Sequence, residues 1–88
     1  MEKFKLCIHK ILNDKHTELF NELLQKLSEK QWLKIINIWH HSSPLLRYNN
    51  FKNEFCKIND LEHSKYYDCL TLWLVYYVDQ ITYNIIDV

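Results

Sequence analysis

The sequence predicts an all-α protein, one small domain over residues 1–88 with four to six helices packed around a long C-terminal helix. Three observations carry that reading. The chain has no glycine and a single proline in 88 residues, where average usage would supply about six and about four. Apolar residues recur at helical spacing along most of its length. Capping signals stand where those stripes begin. The missing glycine also removes functions. Glycine serves positive φ and close backbone approach, so Gly-rich phosphate cradles, dinucleotide fingerprints, nucleophile elbows and tight two-residue hairpins are disfavoured together.

The first segment, about residues 3–12, places Phe4, Cys7, Ile8, Ile11 and Leu12 on one helical face. Phe4, Leu6 and Ile8 also alternate, so a short strand competes there. Asn13 and Asp14 supply a cap for a helix over about 15–27, whose Leu19, Phe20, Leu23, Leu24 and Leu27 form one apolar stripe. Ser28 with Gln31 is a capping box: the hydroxyl takes one orphan N–H and the amide returns to another. It opens a helix over about 29–41 with Trp32, Ile35, Ile36 and Trp39 inward. Ser43 and Pro44 mark the next start, since proline has a preset φ and no N–H to waste. That helix is expected to run through Leu45 and Tyr48 and to break near Asn49 and Asn50 before Phe51, Phe55 and Ile58. Asp60 is expected to cap the last helix, from about residue 61 to at least 79. Tyr66, Leu70, Trp73, Tyr77 and Ile81 line one face of it, with Cys69, Leu72 and Tyr76 alongside. The β-branched tail, 81–88, fits either a continued helix or an extended arm.

Composition bounds the partners. Hydrophobic residues make up 48% and charged residues 25%, an ordinary globular balance that argues against disorder. Net charge is zero, but residues 1–58 hold ten Lys/Arg against six Asp/Glu, while 59–88 hold one against five. Neutrality gives no support for a membrane or nucleic-acid partner, and the asymmetry leaves an acidic C-terminal end. No signal peptide or bilayer-length apolar run is visible, and three cysteines, an odd number set among apolar residues, fit free thiols in a reducing compartment. The expected location is cytoplasmic.

Catalytic and metal chemistry find little footing. Cys56, His63 and Cys69 lack the close ligand pair of structural zinc sites. His40 and His41 are adjacent, so helical geometry turns them about 100° apart. A Cys–His pair such as Cys69 with His63 has no glycine turn to form an oxyanion hole. The chain is therefore read as a non-enzyme with no cofactor.

Two binding readings remain. Lys30, Lys34, Asn37 and His41 share the outer face of the third helix, near Arg47 and Lys52, in a pattern like a helix-turn-helix reader, although Glu29 and the neutral net charge oppose it. The preferred reading rests on the last 23 residues, which gather Tyr66, Tyr67, Trp73, Tyr76, Tyr77 and Tyr83 among acids. Thirteen aromatics also exceed what so small a core is expected to enclose. Asp60, Glu62, Tyr66, Tyr67, Asp68, Tyr76, Asp79 and Tyr83 are the expected partner-binding residues. The expected partner is another protein, a basic one such as a nuclease or nucleic-acid-binding enzyme, or a second copy in a homodimer. The function class is a stoichiometric inhibitor of the immunity, antitoxin or phage-blocker kind. Protein purified without a metal-affinity tag is expected to carry no stoichiometric zinc in elemental analysis; one zinc per chain, lost in Cys56→Ser, would reverse the metal reading.

Overall fold

The computed structural model describes residues 1–82. Among them are five α-helices: α1 (Glu2–His9), α2 (Asp14–Lys26), α3 (Glu29–His41), α4 (Arg47–Phe55) and α5 (Tyr67–Thr82), with a 3-10 turn at His63–Lys65 before α5. No strand occurs among the described residues. The radius of gyration is 12.3 Å, close to the roughly 12 Å expected for this length. α4 packs chiefly on α3, α1 lies along α5, and α5 also touches α3.

The N-terminal ambiguity resolves as helix. α1 buries Phe4, Cys7 and Ile8 and leaves Leu6 64% exposed, whereas a strand would have put Leu6 on the same face as Phe4 and Ile8. Asn13 caps α2 by accepting from His16 N–H at 2.9 Å. The Ser28 box is complete: Gln31 N–H donates to Ser28 Oγ at 3.1 Å and Ser28 N–H to Gln31 Oε1 at 2.8 Å. Helix ends are made without glycine. Leu27 and Ser42 stop α2 and α3 by turning to extended backbone, with φ/ψ of −102°/137° and −83°/149°.

Two expected helix starts move. Ser43 and Pro44 precede α4 without belonging to it. Ser43 O accepts the N–H groups of Leu46 and Arg47, both at 2.9 Å, and this turn feeds the chain into the helix. α4 then runs through Asn49 and Asn50 unbroken, because Asn50 N–H bonds Leu46 O and its side chain reaches back to Ser42. Asp60 does not cap the last helix. It is the one described non-glycine residue with positive φ, 58°, a conformation that aspartate tolerates better than most side chains. The chain turns there, and α5 starts only at Tyr67.

The core encloses more aromatic surface than composition led us to expect. All four phenylalanines, all three tryptophans, Tyr66 and Tyr77 are buried. They fall into two clusters. In one, Phe20 meets Phe4 at 6.1 Å, Trp32 at 6.0 Å and Trp73 at 5.0 Å, and Phe4 meets Tyr77 edge-on at 5.1 Å. In the other, Phe51 meets Trp39 at 5.6 Å, Phe55 at 6.0 Å and Tyr67 at 6.3 Å. Tilted and edge-on rings of this kind gain more than their buried area alone. The indole N–H groups of Trp32, Trp39 and Trp73 have no hydrogen-bond partner, so these side chains stabilise by packing. Trp32→Ala is expected to cost about 3–5 kcal/mol in denaturant unfolding. Trp32→Phe, which removes no satisfied hydrogen bond, is expected to cost less than half as much; equal losses would contradict this account.

Candidate functional site

The acidic end divides into buried and exposed members. Asp60, Glu62, Asp68 and Asp79 are all exposed, and none takes part in an ion pair among the described residues, where Glu2, Glu22 and Glu54 hold the lysine partners. Asp68 and Asp79 lie eleven positions apart on α5, which brings them back to within about 20° of one another around the axis and separates them by about 16 Å. Leu72 and Val75 occupy the same stripe between them, 49% and 38% exposed. Asp60 and Glu62 sit in the segment that enters α5 beside Asp68. An apolar centre thus lies between carboxylates on the outward face of the longest helix. Its inward face buries Cys69, Leu70, Trp73, Leu74, Tyr77 and Val78.

The tyrosines behave differently. Tyr66 is 2% exposed and belongs to the fold. Its hydroxyl donates to Glu22 Oε2 at 2.6 Å, and Lys65 Nζ meets the same oxygen at 3.0 Å. Burial, then the bond to Glu22, pushes the Tyr66 phenol up to about 12, while the Tyr66 and Lys65 bonds hold Glu22 below its ordinary value. Tyr67 is half-buried against Phe51 and Phe55, with its hydroxyl 2.8 Å from Cys56 Sγ. That hydrogen bond, followed by burial, pushes its phenol up to about 12 as well. Tyr76 is half-buried at the edge of the core. Tyr83 lies outside the described residues, as does the tail beyond Thr82. Of the expected aromatic anchors among the described residues, only Tyr76 therefore borders the acidic stripe. Leu72 faces outward beside Val75 instead of joining an inner face with Cys69.

The cysteines and histidines do not converge. Cys69 Sγ donates to Tyr66 O at 3.3 Å, and His63 Nε2 lies 2.7 Å from Ile58 O and edge-on to the Phe55 ring. Burial pushes the Cys69 thiol up to about 11 and raises Cys7 too. Cys56 is exposed, against the apolar setting expected of all three thiols. No group of three or more His, Cys, Asp or Glu that could hold a metal ion occurs among the described residues. A surface cleft of about 260 Å³ between Met1, Glu2, Lys5, Leu24, Leu27, Glu29 and Trp32 falls below the roughly 300 Å³ at which small-molecule sites begin. A smaller one, about 100 Å³, is bordered by Lys34, Glu54 and Lys57. Lys34 Nζ pairs with Glu54 at 2.9 Å, which draws one of the candidate nucleic-acid contacts into the α3–α4 packing.

No family model, curated protein or solved structure matches this chain. Glu22 was invisible to the sequence reading, because its partner Tyr66 lies 44 positions away. Since its native value is lowered, its contribution to stability is whole above the ordinary glutamate range and is lost as the pH falls through that lowered value. Glu22→Gln is therefore expected to flatten the loss of unfolding free energy as the pH falls below the ordinary glutamate range. An unchanged acid limb would show that the Tyr66–Glu22–Lys65 cluster carries no stability.

Proposed function

We propose that the chain is a small protein-binding module that inhibits its partner stoichiometrically, covering a basic surface with the outer face of α5. The observation that carries this is the stripe of Asp68, Leu72, Val75 and Asp79, whose carboxylates have no cation among the described residues and whose apolar centre is open. Buried apolar contact supplies affinity, and rim charges steer encounter and reject wrong partners. A second copy is the poorer occupant. Antiparallel pairing of two such stripes sets Asp68 against Asp79, and parallel pairing sets each acid against itself. Like charges oppose both arrangements, so the stripe favours a basic partner.

Inhibition by occlusion needs a shaped surface and no catalytic cavity, which suits an immunity-, antitoxin- or phage-blocker-type role in the cytoplasm. The competing nucleic-acid reading keeps Lys30, Asn37 and His41 on the outer face of α3 but engages Lys34 with Glu54. An affinity pull-down analysed for protein and nucleic acid supplies the ligand for the decisive comparison. Asp68→Lys with Asp79→Lys is expected to slow association and reduce its salt dependence. Leu72→Asp is expected to speed dissociation, at about 2 kcal/mol or more. If these changes leave binding intact and Lys30→Glu abolishes it, the chain is a nucleic-acid binder and the inhibitor reading fails.

A further inference from the structure

The α3–α4 corner presents the most exposed large apolar side chain of the described residues, Leu45, with a second leucine beside it. Leu45 is 91% exposed and Leu46 55%, with Tyr48 at 40% one turn on. Turn tips ordinarily carry Gly, Asn, Asp or Ser, whose backbone chemistry suits them. Here a hydrogen-bonded turn lifts two adjacent leucines into solvent instead. The corner is also braced: Leu46 and Arg47 N–H both bond Ser43 O, Asn50 Nδ2 donates to Ser42 Oγ at 3.1 Å, and Ser42 Oγ donates to Ile38 O. The leucines stand on a fixed support.

Behind this tip is a collar of one charge sign. No acid occurs between Glu29 and Glu54 in the sequence. Arg47 lies over the Trp39 ring at 5.4 Å, and Lys52 over Tyr48 at 5.8 Å and Tyr67 at 5.0 Å. Neither forms an ion pair among the described residues. His40 and His41, with rings 4.8 Å apart, stand in the last turn of α3, where the chain enters the corner. α4 begins with no side-chain cap and no acid in its first turn, so its backbone dipole adds to the positive potential.

We propose that the Leu45–Leu46 corner docks on an anionic phospholipid bilayer, with the two leucines at the acyl boundary and Arg47, Lys52 and Tyr48 at headgroup depth. The chemistry favours lipid over protein. A convex aliphatic tip with cations set behind it matches the layers of a membrane surface, apolar at the acyl boundary and anionic at the headgroups. Cations near an anionic leaflet and tyrosine at the interface are each favourable there. A single weak anchor gives only marginal attachment, and an apolar tip joined to a basic collar provides two. Attachment of this kind needs no spanning segment, and no described helix is long and apolar enough to cross a membrane. The proposal departs from the expectation of no membrane partner, which whole-chain neutrality motivated, because that average hides an acid-free stretch at one corner. It stands independently of the role given to α5.

Flotation of the full chain with vesicles decides the matter, using phosphatidylcholine alone and phosphatidylcholine with about 30% phosphatidylglycerol. Wild type is expected to float with the anionic vesicles, less so as salt rises, and to ignore the neutral ones. Leu45→Asp with Leu46→Asp is expected to weaken binding by roughly tenfold or more, since burial of one leucine already contributes about that factor. Lys52→Glu is expected to weaken it severalfold, and Leu72→Asp on α5 to leave it unchanged. Should the double variant fold poorly by circular dichroism, Leu45→Asp alone decides, because that side chain makes little contact with the protein. Absence of flotation with anionic vesicles, equal flotation with neutral ones, or binding indifferent to the leucines would each overturn the proposal. Loss of affinity for a purified protein partner in the leucine variant, with no vesicle binding by wild type, would assign the corner to a protein surface and overturn it as well.

Discussion

Phe20 is the constraint on which the rest of the molecule depends. Its ring touches Phe4 from α1, Trp32 from α3 and Trp73 from α5, so one side chain of α2 joins four helices. Interiors close-pack, and a change of a methylene or two at such a junction is felt by every element that meets there. The second aromatic cluster, around Phe51 and Phe55, fastens α4 and the start of α5 to the same body through Trp39 and Tyr67. With the inner face of α5 fixed by both clusters, its opposite face has only solvent to meet. That is why Asp68, Leu72, Val75 and Asp79 form an outward stripe.

The elements were legible where local chemistry decides them. The Ser28–Gln31 box and the stripes containing Phe20 and Trp32 depend on neighbours three or four positions away, and there the sequence reading and the structure agree. It failed where a distant group decides. Counting aromatics placed Tyr66 among the exposed anchors, yet Glu22 and Lys65 hold its hydroxyl inside, and no local spacing announces a bond across 44 positions. Asp60 has the composition of a cap, but the backbone reverses there before α5 begins. The outward acids were legible because charged side chains rarely go under without a partner. The exposed corner was not: the helix expected to run through Leu45 begins only at Arg47, and the turn at Ser43 sets Leu45 and Leu46 before it.

Charge is laid out by the same geometry. Glu22 and Glu54 are each occupied by two groups, Tyr66 with Lys65 and Lys34 with Lys57, so the internal acids are spent on joining segments. The acids on and before α5 form no ion pair among the described residues, and the stretch that holds the corner, between Glu29 and Glu54, contains no acid. A molecule neutral as a whole thus carries two faces of opposite character, one acidic and one basic, each with exposed aliphatic side chains at its centre.

The pairing of α1 with α5 has a consequence for synthesis. α1 is made before α5 and packs along it, and Phe4 meets Tyr77 from far away in the sequence. On a ribosome, the hairpin of α3 and α4 has its partners at hand, since contacts close in sequence close early. Phe4, Cys7 and Ile8 must wait until α5 has left the exit tunnel. Until then these three side chains lack the helix that covers them, and the wait lengthens with the time taken to make the chain between α1 and α5.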